Sequence, residues 1–184
     1  DSVTTIGNYT FNACTALATV TIPDSVTTIG NYTFNACTAL TSVTIPGSET
    51  TIGNNAFNGC TAVRRVELPI TLHTIGESAF VGCGGELMLN SDVADGSSAD
   101  SGVFCGTTFE NVMIGDNVIS VGDYAFAGCN TITNVALGAN IENLGDGVFE
   151  GCVALSQVNM PANIVLIGDR AFGDCSSITD VALG

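Results

Sequence analysis

Apolar and polar positions along this chain repeat with a period of 23 residues. Residues 1–23 read DSVTTIGNYTFNACTALATVTIP and residues 24–46 read DSVTTIGNYTFNACTALTSVTIP, differing at two positions. The third unit, residues 47–69, keeps Ile52-Gly53, Phe57, Cys60, Val63, Val66 and Leu68-Pro69 in frame. The frame returns at Ile75-Gly76, Val121-Gly122, Leu144-Gly145 and Ile167-Gly168. Steps between these glycines are 23, 23, 23, 46, 23 and 23 residues, so the disturbed stretch between units four and five holds no net insertion. Self-similarity at such a period marks an architecture of stacked repeats.

Each unit carries two rhythms. Phe11, Cys14 and Leu17 are spaced by three, which predicts a short helix or 3₁₀ turn with one buried side. Val20 and Ile22 alternate with Thr19 and Thr21, which predicts a strand with one face exposed. Pro23 ends that strand where a lost donor is tolerable. Gly7, followed by Asn8, predicts a tight turn and a capped helix start. One unit alone cannot fold: its six to eight inward side chains contribute ~1.5–3 kcal/mol each, against a backbone cost of about 1–2 kcal/mol per residue. Stacking covers each coil with its neighbours. The expectation is an α/β repeat solenoid in one domain, 1–184. It has eight coils: 1–23, 24–46, 47–69, 70–92, 93–115, 116–138, 139–161 and 162–184. One parallel β-strand ladder runs along it, with short helical segments, and the coils around 84–109 are degenerate. Phe11, Phe34, Phe57, Phe80, Phe126, Phe149 and Phe172 are expected to form one buried stack.

The pattern Ser-Val-Thr-x-Ile-Gly-x-x-x-Phe-x-x-Cys-x-x-Leu-x-x-Val-x-Ile-Pro resembles the BspA-like branch of leucine-rich repeats. The resemblance covers the whole chain and is weakest across residues 84–109. It implies a right-handed solenoid and a secreted or cell-surface protein, used in attachment to matrix, host cells or other microbes.

Charge narrows the partners. Eighteen acidic residues face three arginines and no lysine, for a net charge of −15. Three cations cannot neutralise a phosphate backbone, so nucleic acid is excluded as a partner. The longest aliphatic run, Ile164-Val165-Leu166-Ile167, is far short of the ~20 residues of a membrane span, so no membrane insertion is expected in this segment. The chain opens on Asp1 without an initiator Met or a signal-peptide pattern, which suggests a mature product or a piece of something longer. The acid excess is uneven: residues 1–83 hold five acids and two arginines, residues 84–184 thirteen acids and one arginine.

Eight cysteines, Cys14, Cys37, Cys60, Cys83, Cys105, Cys129, Cys152 and Cys175, fall once per unit, with Cys105 shifted by one. Zinc sites want close pairs or histidines, and neither is present. Disulfides between stacked coils are sterically conceivable, but one cysteine per coil at an inward phase suits a small buried hydrophobe better. Position eight of the unit forms a second ladder: Asn8, Asn31, Asn54, Glu77, Asp100, Asp123, Asp146 and Asp169. Repeated helix caps explain it; the competing reading is a calcium strip on Asp100, Asp123, Asp146 and Asp169. Asp92, Asp95 and Asp100 sit in a Gly/Ser-rich stretch, but without the order of a calcium loop. Asn8-Tyr9-Thr10 and Asn31-Tyr32-Thr33 are the N-glycosylation sequons, Asn8 and Asn31 being the acceptors.

Enzyme chemistry finds no foothold. His73 is the single histidine, the acids follow the repeat, and no glycine-rich phosphate loop occurs. No cofactor is implied. The expected function is a non-enzymatic interaction or adhesion module binding a protein or glycan on a matrix or cell surface. Its binding face is the exposed strand positions Thr19, Thr21, Ser42, Thr44, Arg65, Glu67, Asn111, Met113, Asn134, Gln157, Asn159 and Asp180. A structural role, with uncapped coils associating end to end into a filament or longer array, is the alternative. The Thr-x-Thr of the first strands suggests an ice-binding face, but Arg65 and Glu67 break it in the third coil.

Overall fold

The structure, a computed structural model, describes residues 3–48, 50–94, 96 and 102–183. Every strand is short and every pairing between named strands is parallel, joining one coil to the next. In chain order they are β1 (Thr5–Ile6), β2 (Thr28–Ile29), β3 (Val43–Thr44), β4 (Thr51–Ile52), β5 (Arg65–Leu68), β6 (Thr74–Ile75) and β7 (Gly84–Leu89). There follow β8 (Thr108–Ile114), β9 (Ser120–Val121), β10 (Asn134–Ala136), β11 (Asn143–Leu144), β12 (Gln157–Asn159), β13 (Leu166–Ile167) and β14 (Asp180–Ala182).

They form three sheets where one ladder was expected. The principal sheet has seven strands in the order β14-β12-β10-β8-β7-β5-β3. The Thr-Ile pairs ahead of the repeat glycine build a second sheet, β1-β2-β4-β6, and its counterpart β9-β11-β13 lies beyond the irregular region. Thr-Ile is a β-branched pair that favours extended backbone, and its N–H and C=O groups need partners as much as those of the longer strand. The expected eight turns become about seven, because Val20–Ile22 of the first unit form no strand.

The helical segments are also corrected. Among the described residues there is no helix, so the α/β description does not hold. The spacing of three at Phe11, Cys14 and Leu17 comes from successive turns: Asn12 N–H donates to Tyr9 O, Cys14 to Phe11 O and Leu17 to Cys14 O. The intervening Tyr9, Phe11 and Ala13 N–H groups reach instead to Asn31, Thr33 and Asn35 of the next coil. Tyr9 and Ala13 hold positive φ, 59° and 58°, as do Tyr32 and Ala36. A left-handed residue at these points breaks helical continuation and turns alternate N–H groups along the solenoid axis.

Phenylalanine fills the interior under these turns. Ring centroids step 5.2 Å from Phe11 to Phe34, 5.2 Å to Phe57, 5.4 Å to Phe80, and later 5.2 Å from Phe126 to Phe149. Phe104, unassigned by the repeat frame, bridges the gap at 6.4 Å from Phe80 and 4.7 Å from Phe126. The stack is buried except at its ends: Phe11 is 38% exposed and Phe172 half-buried, each lacking a neighbour on one side.

The irregular unit keeps the stack by moving two residues. Arg65 pairs with Glu86, 21 residues on, and Glu86 with Asn111, 25 residues on. Coil four is shortened and coil five lengthened, which restores the frame. A bulge on β8 between Phe109 and Asn111 absorbs the last residue.

Candidate functional site

The ladder at position eight works differently from a helix cap. Asn8 Oδ1 accepts the N–H of Asn31 at 2.7 Å, Asn31 that of Asn54 at 2.8 Å, and Asn54 that of Glu77 at 3.0 Å. In the acidic half Asp123 Oδ1 accepts Asp146 N–H and Asp146 accepts Asp169 N–H, both at 2.7 Å. With no helix to cap, each side chain serves the following coil. Asp100 lies outside the described residues, as does Asp95; Asp123, Asp146 and Asp169 are in one row. Asp92, from the same irregular stretch, accepts N–H groups of Ile119 and Ser120. Among the described residues no three His, Cys, Asp or Glu side chains come together as a metal cluster. Asn8 and Asn31 are exposed, with their side-chain oxygens engaged in this ladder.

The cysteines form a third row. Cys37 Sγ donates to Phe11 O at 3.2 Å, Cys60 to Phe34 O at 3.1 Å, Cys129 to Phe104 O at 3.1 Å and Cys152 to Phe126 O at 3.3 Å. None of the eight cysteines is joined in a disulfide. The row is more than a small hydrophobe repeated, because Cys37, Cys60, Cys83, Cys129, Cys152 and Cys175 each satisfy a carbonyl of the preceding coil, while Cys14, in the first coil, is exposed. Cys105 is not its fifth member. Thr107, three residues after Phe104, takes the sequence slot but donates within its own turn, to Phe104 O at 2.8 Å. Burial pushes Cys37 up to about 11 and Cys129 up to about 12, and raises Cys152 in the same way. These are inert thiols, since the thiolate is the reactive form.

The expected binding face is largely assembled by the principal sheet. Its register sets Arg65, Glu86, Asn111, Asn134, Gln157 and Asp180 in one row across six strands. A second row runs Thr44, Glu67, Met88, Met113 and Ala136 by the same pairings and continues in Asn159 and Ala182, with β10 and β12 paired at Asn134–Gln157 and Val135–Val158. Ser42 precedes β3 and is exposed; Thr19 and Thr21 are exposed but belong to no strand. Glu86 and Met88 were missed because coil four's strand arrives two residues early; the alternation in Glu86-Leu87-Met88-Leu89 was the available signal. Arg65 lies between two carboxylates, 3.5 Å from Glu67 and 3.4 Å from Glu86. The first row is polar and mixed in charge, while the second sets Met88, Met113, Ala136 and Ala182 among its polar residues.

His73 lines a cavity of about 110 Å³ with Leu72, Asp92 and Val103, where the second sheet is interrupted. Its ring makes no hydrogen bond or ion pair among the described residues. Among them, too, no helix is long and apolar enough to cross a membrane.

Comparison with known proteins agrees with this architecture. A BspA type leucine rich repeat region, in six copies, matches residues 1–90 and 97–184. No curated protein matches the chain in sequence. A leucine-rich repeat protein of T. pallidum is 25% identical with a TM-score of 0.63, over 83% of this chain and 72% of that one. A leucine-rich repeat protein from Bacteroides ovatus is 20% identical, TM-score 0.45, over 97% and 70% of the two chains. A leucine rich cell surface protein from Faecalibacterium prausnitzii is 20% identical, TM-score 0.43, over 98% and 69%. With the repeat model matched over nearly its whole length, the chain belongs to the BspA-type leucine-rich repeat family.

Proposed function

We propose that this chain is a protein-interaction module whose partner lies across the exposed face of the seven-stranded sheet. The observation that carries the reading is the pair of in-register side-chain rows on that face. Strands spaced ~4.8 Å apart hold those side chains on backbone that is hydrogen-bonded on both sides, except in the edge strands β3 and β14. A rigid, extended surface that mixes polar and apolar side chains suits a broad protein contact better than a small molecule, which wants an enclosed apolar pocket. The repeat family is generally non-enzymatic, and nothing in the rows departs from that. Adhesion to a matrix or cell-surface protein, or to a glycan there, is the finer form of the proposal, with an extracellular or cell-surface location. It is supported by family membership and by an acidic surface that repels other polyanions.

The test is binding of the purified chain to a panel of matrix proteins and glycans, alone and with Asn134→Lys and Gln157→Lys together. Both residues are exposed, so the double variant should keep the wild-type melting temperature. Binding that survives this double charge insertion would refute the sheet face as the contact surface.

A further inference from the structure

One cation stands apart from the other two. Arg65 pairs with Glu67 and Glu86, and Arg170 with Glu150 and Asp174. Arg64 makes no ion pair among the described residues. Its guanidinium donates to Thr61 O at 2.8 Å and Val63 O at 3.0 Å, both from Nη1. A guanidinium has five N–H donors in a planar fork, so the rest of its edge is unused. In a chain of net charge −15, a cation left without a carboxylate calls for a reason.

Arg64 borders a groove of about 440 Å³ at the start of the principal sheet, beside the row that holds Arg65, Glu86 and Asn111. The groove exists because of the irregular unit. The shortened coil four sets Gly85 next to Arg64, with a φ of +78° that side chains rarely adopt. A Cβ there would also run into the carbonyl of Arg64. On the far side the β8 bulge leaves Glu110 without a residue opposite it, exposed at the groove's other wall. Elsewhere in this row the positions are filled by small residues, Thr41, Thr133, Ser156 and Thr179. Arg64 and Glu110 thus line one groove on either side of a glycine floor, about two strand spacings or ~9.6 Å apart at the backbone.

We propose that this notch anchors an acidic side chain of a partner polypeptide, with the carboxylate on Arg64 and a neighbouring lysine or arginine of the same segment on Glu110. Arginine recognises carboxylate through paired N–H bonds, and Glu110 disfavours a run of acids while welcoming a cation beside it. The groove walls carry threonines and glycines but no aromatic ring. A sugar ring therefore has no apolar platform there, and a mixed-charge peptide is the better fit. The inference rests on the sheet face being the partner surface, and it names the part of that face that selects the partner.

The test selects a phage library of random twelve-residue peptides on the immobilised chain and synthesises the enriched sequences. Expected sequences place Asp or Glu near Lys or Arg. Their affinity should fall at least tenfold with Arg64→Glu, and also with Glu110→Lys; both positions are exposed, so each variant should keep the wild-type melting temperature. Synthesised binders indifferent to Arg64→Glu, no enrichment at all, or displacement by tri-galacturonic acid at lower concentration than by the peptide overturn the proposal. Binders that ignore Arg64→Glu but are lost with Asn134→Lys and Gln157→Lys overturn the notch alone and leave the sheet face standing.

Discussion

The amide half and the carboxylate half of the solenoid use one bond with two chemistries. Asn8, Asn31 and Asn54 and, further on, Asp123 and Asp146 all place Oδ1 on the N–H of the next coil, at 2.7–3.0 Å. What the coil requires is an sp² oxygen one carbon beyond Cβ, and asparagine and aspartate share it. Charge at this position is therefore not fixed by the fold. A net charge of −12 over residues 84–184 and −3 over residues 1–83 can be set by function while the coil geometry stays the same.

The largest expected effect tests whether the halves are equally stable in their cores. Phe57 lies between Phe34 and Phe80, and Phe126 between Phe104 and Phe149, all fully buried. Phe57→Ala and Phe126→Ala should each cost about 3–5 kcal/mol in urea unfolding. A loss confined to Phe57→Ala would show that the closer Phe104 contact, or Phe109 packed edge-on against Phe104, lets the acidic half close around the cavity.

The thiol row is common to both halves and gives the next effect. Burial raises Cys37 to about 11 and Cys129 to about 12 from an ordinary 9.0. The unfolded chain then loses these protons first. Stability from the neutral thiols is fully present below pH 9 and is lost as pH rises toward 11–12, by at most ~1.4 kcal/mol per pH unit per thiol. Melting temperatures between pH 8 and pH 11 should fall accordingly. Cys37→Ser with Cys129→Ser should flatten the decline, because a serine hydroxyl can donate to the same carbonyl and does not titrate in this range.

Removing the ladder oxygen should discriminate the two chemistries more finely. Asn31→Ala forfeits a neutral inter-coil bond, at about 0.5–1.5 kcal/mol, while Asp146→Ala forfeits a charge-assisted one. Neighbouring carboxylates repel, so part of the larger loss is returned, and the two variants should fall within about 1 kcal/mol of each other in 0.15 M salt. Chemical unfolding at 0.02 M and 1 M salt separates the terms: only Asp146→Ala should show a salt-dependent cost.

The repeat made much of this readable in advance, and the parts it hid have physical causes. A 23-residue period with alternating Val20 and Ile22 exposes stacking directly, because identical coils need identical inward positions. Helix was inferred from the spacing of Phe11, Cys14 and Leu17, which successive turns reproduce equally well. Nothing in the side chains of Tyr9 or Ala13 announces a left-handed backbone, since neither is glycine or asparagine. Phe104, Thr107, Glu86 and Met88 were hidden by the compensating steps of 21 and 25 residues. Only paired strands reveal that shift, and the Arg64–Glu110 notch depends on it.

Calcium should have the smallest effect of all. Asp123 and Asp146 each have Oδ1 committed to the following coil's N–H. Calcium takes six to eight oxygen ligands, more than a single row of half-engaged carboxylates supplies. A specific site would stabilise the fold by ~2.7 kcal/mol at one hundred times its dissociation constant. Screening of the row would instead raise the melting temperature gradually, with sodium and calcium compared at equal ionic strength. The expectation is screening alone. A saturable rise with calcium, absent with sodium and removed by Asp146→Asn, would show that the carboxylate half does something the amide half cannot. Since Asp146→Asn keeps the inter-coil oxygen, that variant isolates charge from geometry.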